Sequence, residues 1–418
     1  MNGLKQYVII GNGVAAAACI EGIRKNDGHS RIIVISGENR PVYCRPLISY
    51  YLEGKTTVEK LNYRSNDFYV QNKCDVIYGK KAVKIDPDNK IVTLDDGSEY
   101  PYDSLCVANG SSPFVPPFEG LDTVKNKYSF MTLDDALELE KALCKDAKVL
   151  IVGAGLIGLK CAEGISERVK HITICDLAPR ILSSILDDEC AGMMQKAMEA
   201  QNISFMLADT AVRFEKNKAY MKSGKEVDFD ILILAVGVKA NSPIVNEAGG
   251  EVNRGIIIDD HMKTSLNDVY AAGDCAEGFD FSFGSRRVLA ILPNAVMQGL
   301  CAGSNMTGND AIFENAIPMN SIGFFGIHAM TAGSYFDKEQ GGECYIEKTD
   351  TSLRRIYYKD GYLTGFIIIG DVESAGIYVN LIRNHIPLSD INFDLLKKSP
   401  SLAAFSRGYR RQKLGSAV

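Results

Sequence analysis

Two glycine turns carry the residues best placed for chemistry. Gly11-x-Gly13-x-x-Ala16 follows the apolar run QYVII (6 to 10) and opens a helical pattern through Arg24. Gly153-x-Gly155-x-x-Gly158 follows KVLIV (148 to 152) and opens a second helical pattern through Arg168. In such a strand–turn–helix the first glycine makes the tight turn. The second lets backbone approach a pyrophosphate, and the third small residue allows close helix–strand packing. The helix N-terminus then stabilises phosphate charge, so Leu156 and Ile157 belong to the expected cradle. Each turn has a carboxylate downstream. Asp176 ends the run HITICD (171 to 176). A carboxylate there bonds both ribose hydroxyls of NAD and repels the 2′-phosphate of NADP. After the first turn, RIIVIS (31 to 36) ends on Ser36, where an acid is more usual, and Glu38 is the expected ribose ligand two residues on. One such motif is weak, but two in matching context read as two dinucleotide-binding domains.

The elements around these turns repeat. QYVII, a helix and RIIVIS form one βαβ unit; KVLIV, a helix and HITICD form another. Residues 79 to 110 read as strands and a hairpin, with turn signals at Pro87-Asp88-Asn89 and Asp95-Asp96-Gly97. Thr132 is the expected cap of a helix from Leu133 to Cys144. Residues 226 to 238 contain ILILAVGV, expected as one more buried strand. Beyond about residue 310 the pattern changes. LRRIYYKDGYLTGFIIIG (353 to 370) reads as a hairpin turning at Asp360-Gly361, and SAGIYVNLIRN (374 to 384) as an amphipathic helix. At about 150 residues per domain, 418 residues suggest two or three domains.

These segments together resemble the FAD-dependent pyridine-nucleotide oxidoreductases that have two dinucleotide-binding domains. Arg45-Pro46-Leu47-Ile48-Ser49 resembles the arginine–proline segment lining the flavin in ferredoxin and rubredoxin reductases. Ala108-Asn109-Gly110, followed by Pro113, Pro116 and Gly120, is similar to the chain-crossover motif, with Asn109 where threonine is usual. ILAVGVKAN (233 to 241), with Gly237, resembles the strand edge near the nicotinamide nucleotide. VYAAGD (269 to 274) resembles the second FAD motif, which assigns Asp274 to the ribityl chain. LPNAVMQGLCAG (292 to 303), with Pro293 and Asn294, resembles the helix whose start faces the flavin ring. The resemblance also implies cofactor-binding positions at Val83 and Phe325. NSIGFFGIHAMTAG (320 to 333) and the helix at 371 to 384 are similar to the C-terminal domain of the rubredoxin-reductase and nitrite-reductase-like branch. The opening segment with CRPLISYYLEGK also resembles FAD subunits that serve iron–sulfur partners, some in tungsten aldehyde oxidoreductases.

The resemblance implies an α/β fold: two Rossmann-like three-layer domains plus a C-terminal α+β domain. The expected boundaries are 1–118 with 243–310 for a split FAD domain, 119–242 for an inserted NAD domain, and 311–418 for the last. It implies FAD and NAD(H) as cofactors. It also implies hydride transfer from NADH to FAD, then single electrons to a ferredoxin, rubredoxin or iron–sulfur subunit, with the net direction in a complex open. An NADH oxidase or coenzyme A-disulfide reductase using Cys44 is one alternative. A non-catalytic redox-sensing flavoprotein is another.

Two departures are informative. In ferredoxin reductases the arginine–proline segment ends in a lysine that pairs, near flavin N5, with a glutamate of the NAD motif. Here those positions are Tyr50 and Lys160. The expectation is that the cation has moved to the NAD domain, making Lys160 and Tyr50 the catalytic candidates. The plainer reading pairs Lys160 with Glu163 on one helix face. Cys44 is offset by two residues from the redox cysteine of the oxidases, which falls at Pro46.

Composition narrows the rest. Net charge is -6, with a sequence pI near 5.6, and an acidic chain without a dense basic stripe is a poor nucleic-acid binder. None of the 11 cysteines forms a C-x-x-C or C-x4-C motif, so no local metal set or dithiol is expected. His29, His171, His261, His328 and His385 have no metal spacing. The odd cysteine count favours reduced thiols in a cytoplasm. Lys5 with YVIIGNGVAAAAC loosely imitates a signal peptide, but Gly11, Asn12 and Gly13 interrupt it, and no apolar run approaches a membrane span. A basic tail of Lys397, Lys398, Arg407, Arg410, Arg411 and Lys413 is either a docking surface or a solvated terminus.

Overall fold

The computed structural model describes residues 4–336 and 339–415, with side chains to Arg411 in the last helix. The chain forms two compact units. One holds Met1–Gly278 with Leu292–Phe313; the other holds Phe279–Ile291 with Glu314–Val418.

The first unit contains two five-stranded parallel sheets built alike. In one the order is Val269–Ala271, Ser104–Val107, Gln6–Ile10, Arg31–Ser36, Cys74–Tyr78. In the other it is Ile203–Leu207, His171–Asp176, Lys148–Val152, Ile231–Leu234, Lys127–Tyr128. The strand that feeds each glycine turn is the middle strand of its sheet. Both of its faces are covered, which is why QYVII and KVLIV are continuous apolar runs and not alternating ones. Each sheet is accompanied by a three-stranded antiparallel sheet, Ala82–Asp86 to Pro101 and Ala211–Glu215 to Asp228.

The helix Val14–Asn26 is rich in small residues on its buried side, Ala15 to Ala18 with Cys19 and Gly22, and it packs on Leu292–Met306 at backbone distance. A Cβ at Gly303 would stand 2.1 Å from Cys19 O, and one at Gly299 2.3 Å from Ala15 O. The helix Leu133–Ala142 begins at Thr132, whose side chain accepts from Asp135 N while Asp135 accepts from Thr132 N. It ends two residues before Cys144. The stretch 226 to 238 is not one strand. Glu226–Asp228 and Ile231–Leu234 are separate, and Gly237, at φ 121°, turns the chain into Val238–Ala240. The second glycine helix ends at Ile165 and tightens into a 3-10 turn through Arg168.

The second unit is built on a five-stranded antiparallel sheet, ordered Met319–Phe324, Ile327–Gly333, Tyr362–Ile369, Leu353–Lys359, Glu343–Lys348. Asp360 and Gly361 both take positive φ at the hairpin turn. The helix Ala375–Arg383 lies on the sheet, and Phe366, Tyr378, Leu381, Leu396 and Phe405 form its core. No helix among the described residues is long and apolar enough to cross a membrane.

Candidate functional site

The glycines of each turn fall into two physical kinds. A Cβ at Gly11 would lie 2.1 Å from Ala108 O, at Gly153 2.2 Å from Ala235 O, and at Gly158 2.1 Å from Gly153 O. Those three are glycine because backbone passes too close. A Cβ at Gly13 or Gly155 would meet no protein atom within 4 Å. Neither has positive φ; both cap helices in extended geometry. Nothing among the described residues requires a bare backbone there, so the space suits a group from outside, as a dinucleotide pyrophosphate requires. Ala16 is fully buried against its strand. Leu156 and Ile157 form the first turn of the second helix, and their amides complete its positive end.

The second cradle is tied to its carboxylate. Asp176 Oδ2 accepts from Ala154 N at 2.6 Å, between the motif glycines, and Oδ1 accepts from Ala178 N at 2.8 Å. In the first cradle, Glu38 Oε1 takes Arg45 Nη2 at 2.5 Å, and Oε2 takes the Tyr43 hydroxyl at 2.9 Å. Tyr43 Oη in turn accepts from Leu133 N at 2.9 Å. Glu38 therefore stands at the expected strand end with an arginine as its present partner. That arginine opens the 3-10 turn Arg45–Leu47, with Pro46 fixing φ at its second residue. Asn12, between the first two glycines, is held by Tyr69 Oη at 2.7 Å and donates to Arg40 O.

Asp274 follows the outer strand of the same sheet. Burial raises its pKa, while the Arg45 charge and the Ser111 hydroxyl pull it down. The turn before it is pinned where Gly273 N donates to Gln298 Oε1 at 2.9 Å, on the helix that Pro293 and the buried Asn294 begin. Asn109 and Asn241 exchange reciprocal bonds, each Nδ2 to the other's carbonyl at 2.9 Å. Ser111–Pro113 pairs antiparallel with Val238–Ala240 beside them. Ala108 lies buried in the same crossover, and Gly110 and Gly237 have positive φ and open space. Asn109 Oδ1 is buried with no hydrogen-bond partner among the described residues, an acceptor that a ligand donor would satisfy. The residues present therefore fit FAD in the first fold and NAD(H) in the second.

A cluster joins the two folds within the first unit. The helix Ile48–Leu52 packs on Leu156–Ile165, where a Cβ at Gly164 would lie 2.7 Å from Ser49 O. Lys160 Nζ lies 5.4 Å from the centroid of the Tyr50 ring and 2.6 Å from Oε2 of buried Glu163. Lys55 Nζ approaches the same ring at 5.8 Å. Arg168 clamps the arrangement, donating to Leu52 O at 3.1 Å and to Glu140, which also takes the Tyr51 hydroxyl. So the pairing of Lys160 with Glu163 and its contact with Tyr50 coexist.

Cys44 lies in the loop before the arginine–proline turn, its N–H on Leu61 O, and burial pushes its thiol pKa up. Val83 is half exposed on Ala82–Asp86. Phe325 sits in the second unit at the turn between its first two strands, with φ 47°. The sequence reading missed Asn241, Tyr43 and Asn12. Asn241 had a visible signal, since it ends ILAVGVKAN; the other two are recognised only through their partners. Among the described residues no group of three or more His, Cys, Asp or Glu side chains is placed to hold a metal ion.

Residues 5–299 match the family model described as pyridine nucleotide-disulphide oxidoreductase. The chain belongs to that family. It is an oxidoreductase that uses FAD and NAD(H). Among relatives, it is 33% identical over 397 residues to the NADH-dependent phenylglyoxylate dehydrogenase subunit epsilon of Aromatoleum evansii, covering 92% of this chain and 93% of that one. It is 26% identical to the nitrite reductase [NAD(P)H] of Bacillus subtilis over 93% of this chain, but spans only 48% of that protein. Its fold superposes on putidaredoxin reductase, from the crystal structure of the covalent putidaredoxin reductase–putidaredoxin complex, with a TM-score of 0.87, full coverage of both chains and 21% identity.

Proposed function

We propose that this oxidoreductase takes hydride from NADH onto FAD and delivers single electrons to an iron–sulfur or rubredoxin-type carrier protein. Bound FAD supplies the exchange between two-electron and one-electron chemistry, and the protein supplies orientation and charge. Gly13 and Gly155 admit the two pyrophosphates. Asp176 receives the NADH ribose, and Glu38, Arg45 and Asp274 line the flavin nucleotide. Pro293, Asn294 and Val83 complete the flavin surroundings. Lys160, held by Glu163 beside Tyr50, supplies the cation that related reductases carry on the FAD fold, and its ammonium stabilises the negative charge arriving with hydride. The boundaries 1–118 with 243–310, 119–242 and 311–418 are the functional division we assign.

The observation that supports an external acceptor is the state of the thiols. None of the eleven cysteines is in a disulfide, and Cys44 has its pKa raised by burial, where a reactive thiol needs it lowered. The same reduced thiols favour a cytoplasmic setting. Similarity over almost the full length to a protein named as a subunit supports a place as the NADH-coupling subunit of a larger redox complex, of aldehyde-oxidoreductase type or another.

The test is anaerobic NADH oxidation with ferredoxin and rubredoxin, repeated with Cys44→Ser. Carrier reduction that Cys44→Ser leaves within about twofold supports the reading. Fast oxygen or disulfide turnover abolished by Cys44→Ser replaces it with the oxidase reading. Negligible turnover with every carrier, with a stable NAD complex, replaces it with the sensor. The iron and tungsten content of co-purifying subunits tests the complex.

A further inference from the structure

The chain passes between the two parallel sheets of the first unit twice. It leaves the first sheet after Ser104–Val107 and enters the second at Lys127–Tyr128. It leaves the second after Ile231–Leu234 and returns to the first at Val269–Ala271. Both passages run through one ribbon, Ser111–Pro113 paired antiparallel with Val238–Ala240. A two-stranded ribbon this short has little stability of its own, and Pro113 has no N–H to add to it. A glycine precedes each strand, Gly110 at φ 67° and Gly237 at φ 121°. A Cβ at either would meet nothing within 4 Å. Positive φ without close packing leaves the backbone free to turn there, so the ribbon has the construction of a joint.

Side chains stiffen this joint at one end. Asn109 Nδ2 donates to Asn241 O at 2.9 Å, and Asn241 Nδ2 donates to Asn109 O at 2.9 Å. Asn241 N also donates to Gly110 O at 2.9 Å, and Ser112 Oγ to Asn241 Oδ1 at 2.7 Å. At the other end Phe114 N donates to Gly237 O at 2.9 Å, and the residues there, Phe114, Val115 and Val238, have no side-chain donor. The two amides form a ring, each reaching the other's main-chain carbonyl. Both bonds therefore depend on the angle between the outgoing and returning strands. The Asn109 amide is oriented by its donor side, because its Oδ1 stays buried without a partner among the described residues.

We infer that the Asn109–Asn241 amide pair is a latch on this joint. It sets the orientation of the fold holding Asp176 against the fold holding Asp274, which makes both asparagines positioning residues for hydride transfer. Transfer is sensitive to that orientation, since a misplacement of about 1 Å can cost roughly a hundredfold in rate. Binding of NADH is not, since Gly155 and Asp176 belong to one fold. Breaking the latch slows the transfer and spares the binding. The inference rests on the NADH-to-FAD step of the preceding subsection.

The experiment follows anaerobic flavin reduction by NADH in the full-length FAD-loaded protein by stopped flow, which separates the limiting rate from the NADH dissociation constant. Asn109→Ala and Asn241→Ala each lower the limiting rate about tenfold and leave the dissociation constant within about twofold. The double variant is slower than either single one by no more than about twofold, because the two bonds are lost together. Hydrogen exchange, read without turnover, quickens at residues 110–114 and 237–241 in all three variants and is unchanged in the strands Gln6–Ile10 and Lys148–Val152. If an alanine variant loses its flavin, Asn109→Ser and Asn241→Ser give the same comparison. Quickened exchange with an unchanged limiting rate overturns the latch and leaves a structural pair. A raised dissociation constant with an unchanged limiting rate also overturns it, and so do losses that add in the double variant. A wild-type flavin that NADH does not reduce overturns the hydride reading itself.

Discussion

The two kinds of glycine can be separated by adding one methyl group to each. Gly158→Ala places a Cβ 2.1 Å from Gly153 O, where ordinary contact needs more than 3.4 Å. The obstacle is backbone of the turn, so helix and strand must part by more than an ångström. Overpacking of that kind costs about 3 kcal/mol, and alanine's helix propensity returns roughly 1 kcal/mol, leaving a loss near 2 kcal/mol. In a domain of this size the melting temperature should fall by about 5 °C or more. Gly155→Ala differs in its surroundings. Its Cβ meets no protein atom within 4 Å and its φ of -82° suits alanine. Loss of a glycine cap costs well under about 1 kcal/mol, or roughly 2 °C. The same methyl, however, occupies the approach of a pyrophosphate. Displacing one charge-assisted hydrogen bond costs about 1.5–3 kcal/mol, a rise of roughly tenfold to a hundredfold in the NADH dissociation constant. Thermal denaturation and anaerobic NADH titration, each on the FAD-loaded protein, measure the two effects. If Gly155→Ala binds NADH as tightly as the wild type, the open space beside it is not a phosphate cradle. If both variants lose stability equally, the division of the glycines is wrong.

Other outcomes follow from the charges. Asp176→Ala should raise turnover with NADPH relative to NADH by at least about tenfold, read as the ratio of kcat/KM values, because the carboxylate anchored by Ala154 and Ala178 no longer repels a 2′-phosphate. Lys160→Gln should lower the flavin midpoint potential by roughly 30 mV, equivalent to about 1.4 kcal/mol for two electrons, and Lys160→Arg should recover most of it; an unchanged potential removes the lysine from the reaction. Hydrogen bonds from Ser30, His29 and Tyr7 depress the Asp27 pKa well below the usual carboxylate range, although burial alone would raise it. A depressed folded pKa gives stability that is full above the unfolded value near 4 and lost as pH falls through the folded one. Asp27→Asn should therefore be less stable than wild type at pH 6, and the gap should narrow as pH falls below about 4; a gap as wide at pH 2 as at pH 6 refutes the assignment.

What could be read from the sequence was local. Gly11, Gly13, Gly153, Gly155 and Gly158 are spaced by the chain itself, and the strand before and the helix after each turn are written in neighbouring residues. That is why both sheets were expected, and why the break at Gly237 inside 226 to 238 was not: an apolar run conceals a turn when the glycine within it has a backbone reason that only φ reveals. Distant pairings were out of reach. Nothing in residues 109 and 241 announces that two amides will exchange bonds across the crossover. Nothing at Tyr43 says its hydroxyl will join Glu38 to Leu133 N.

Lys160 shows how the two levels combine. By position alone, two substitutions had occurred far apart in the chain, and each had an ordinary explanation. Glu163 on the next turn was enough to account for the lysine. The structure keeps that ion pair and also places the ammonium over Tyr50, the very residue standing where the other cation belongs. A solvated helix face has no reason to meet that particular ring. An exchange of charge between two folds does, because the ammonium must reach the edge its counterpart has left. The buried carboxylate of Glu163 holds the ammonium in place, so on the proposed reading the ion pair that argued for a passive role would position the cation for an active one.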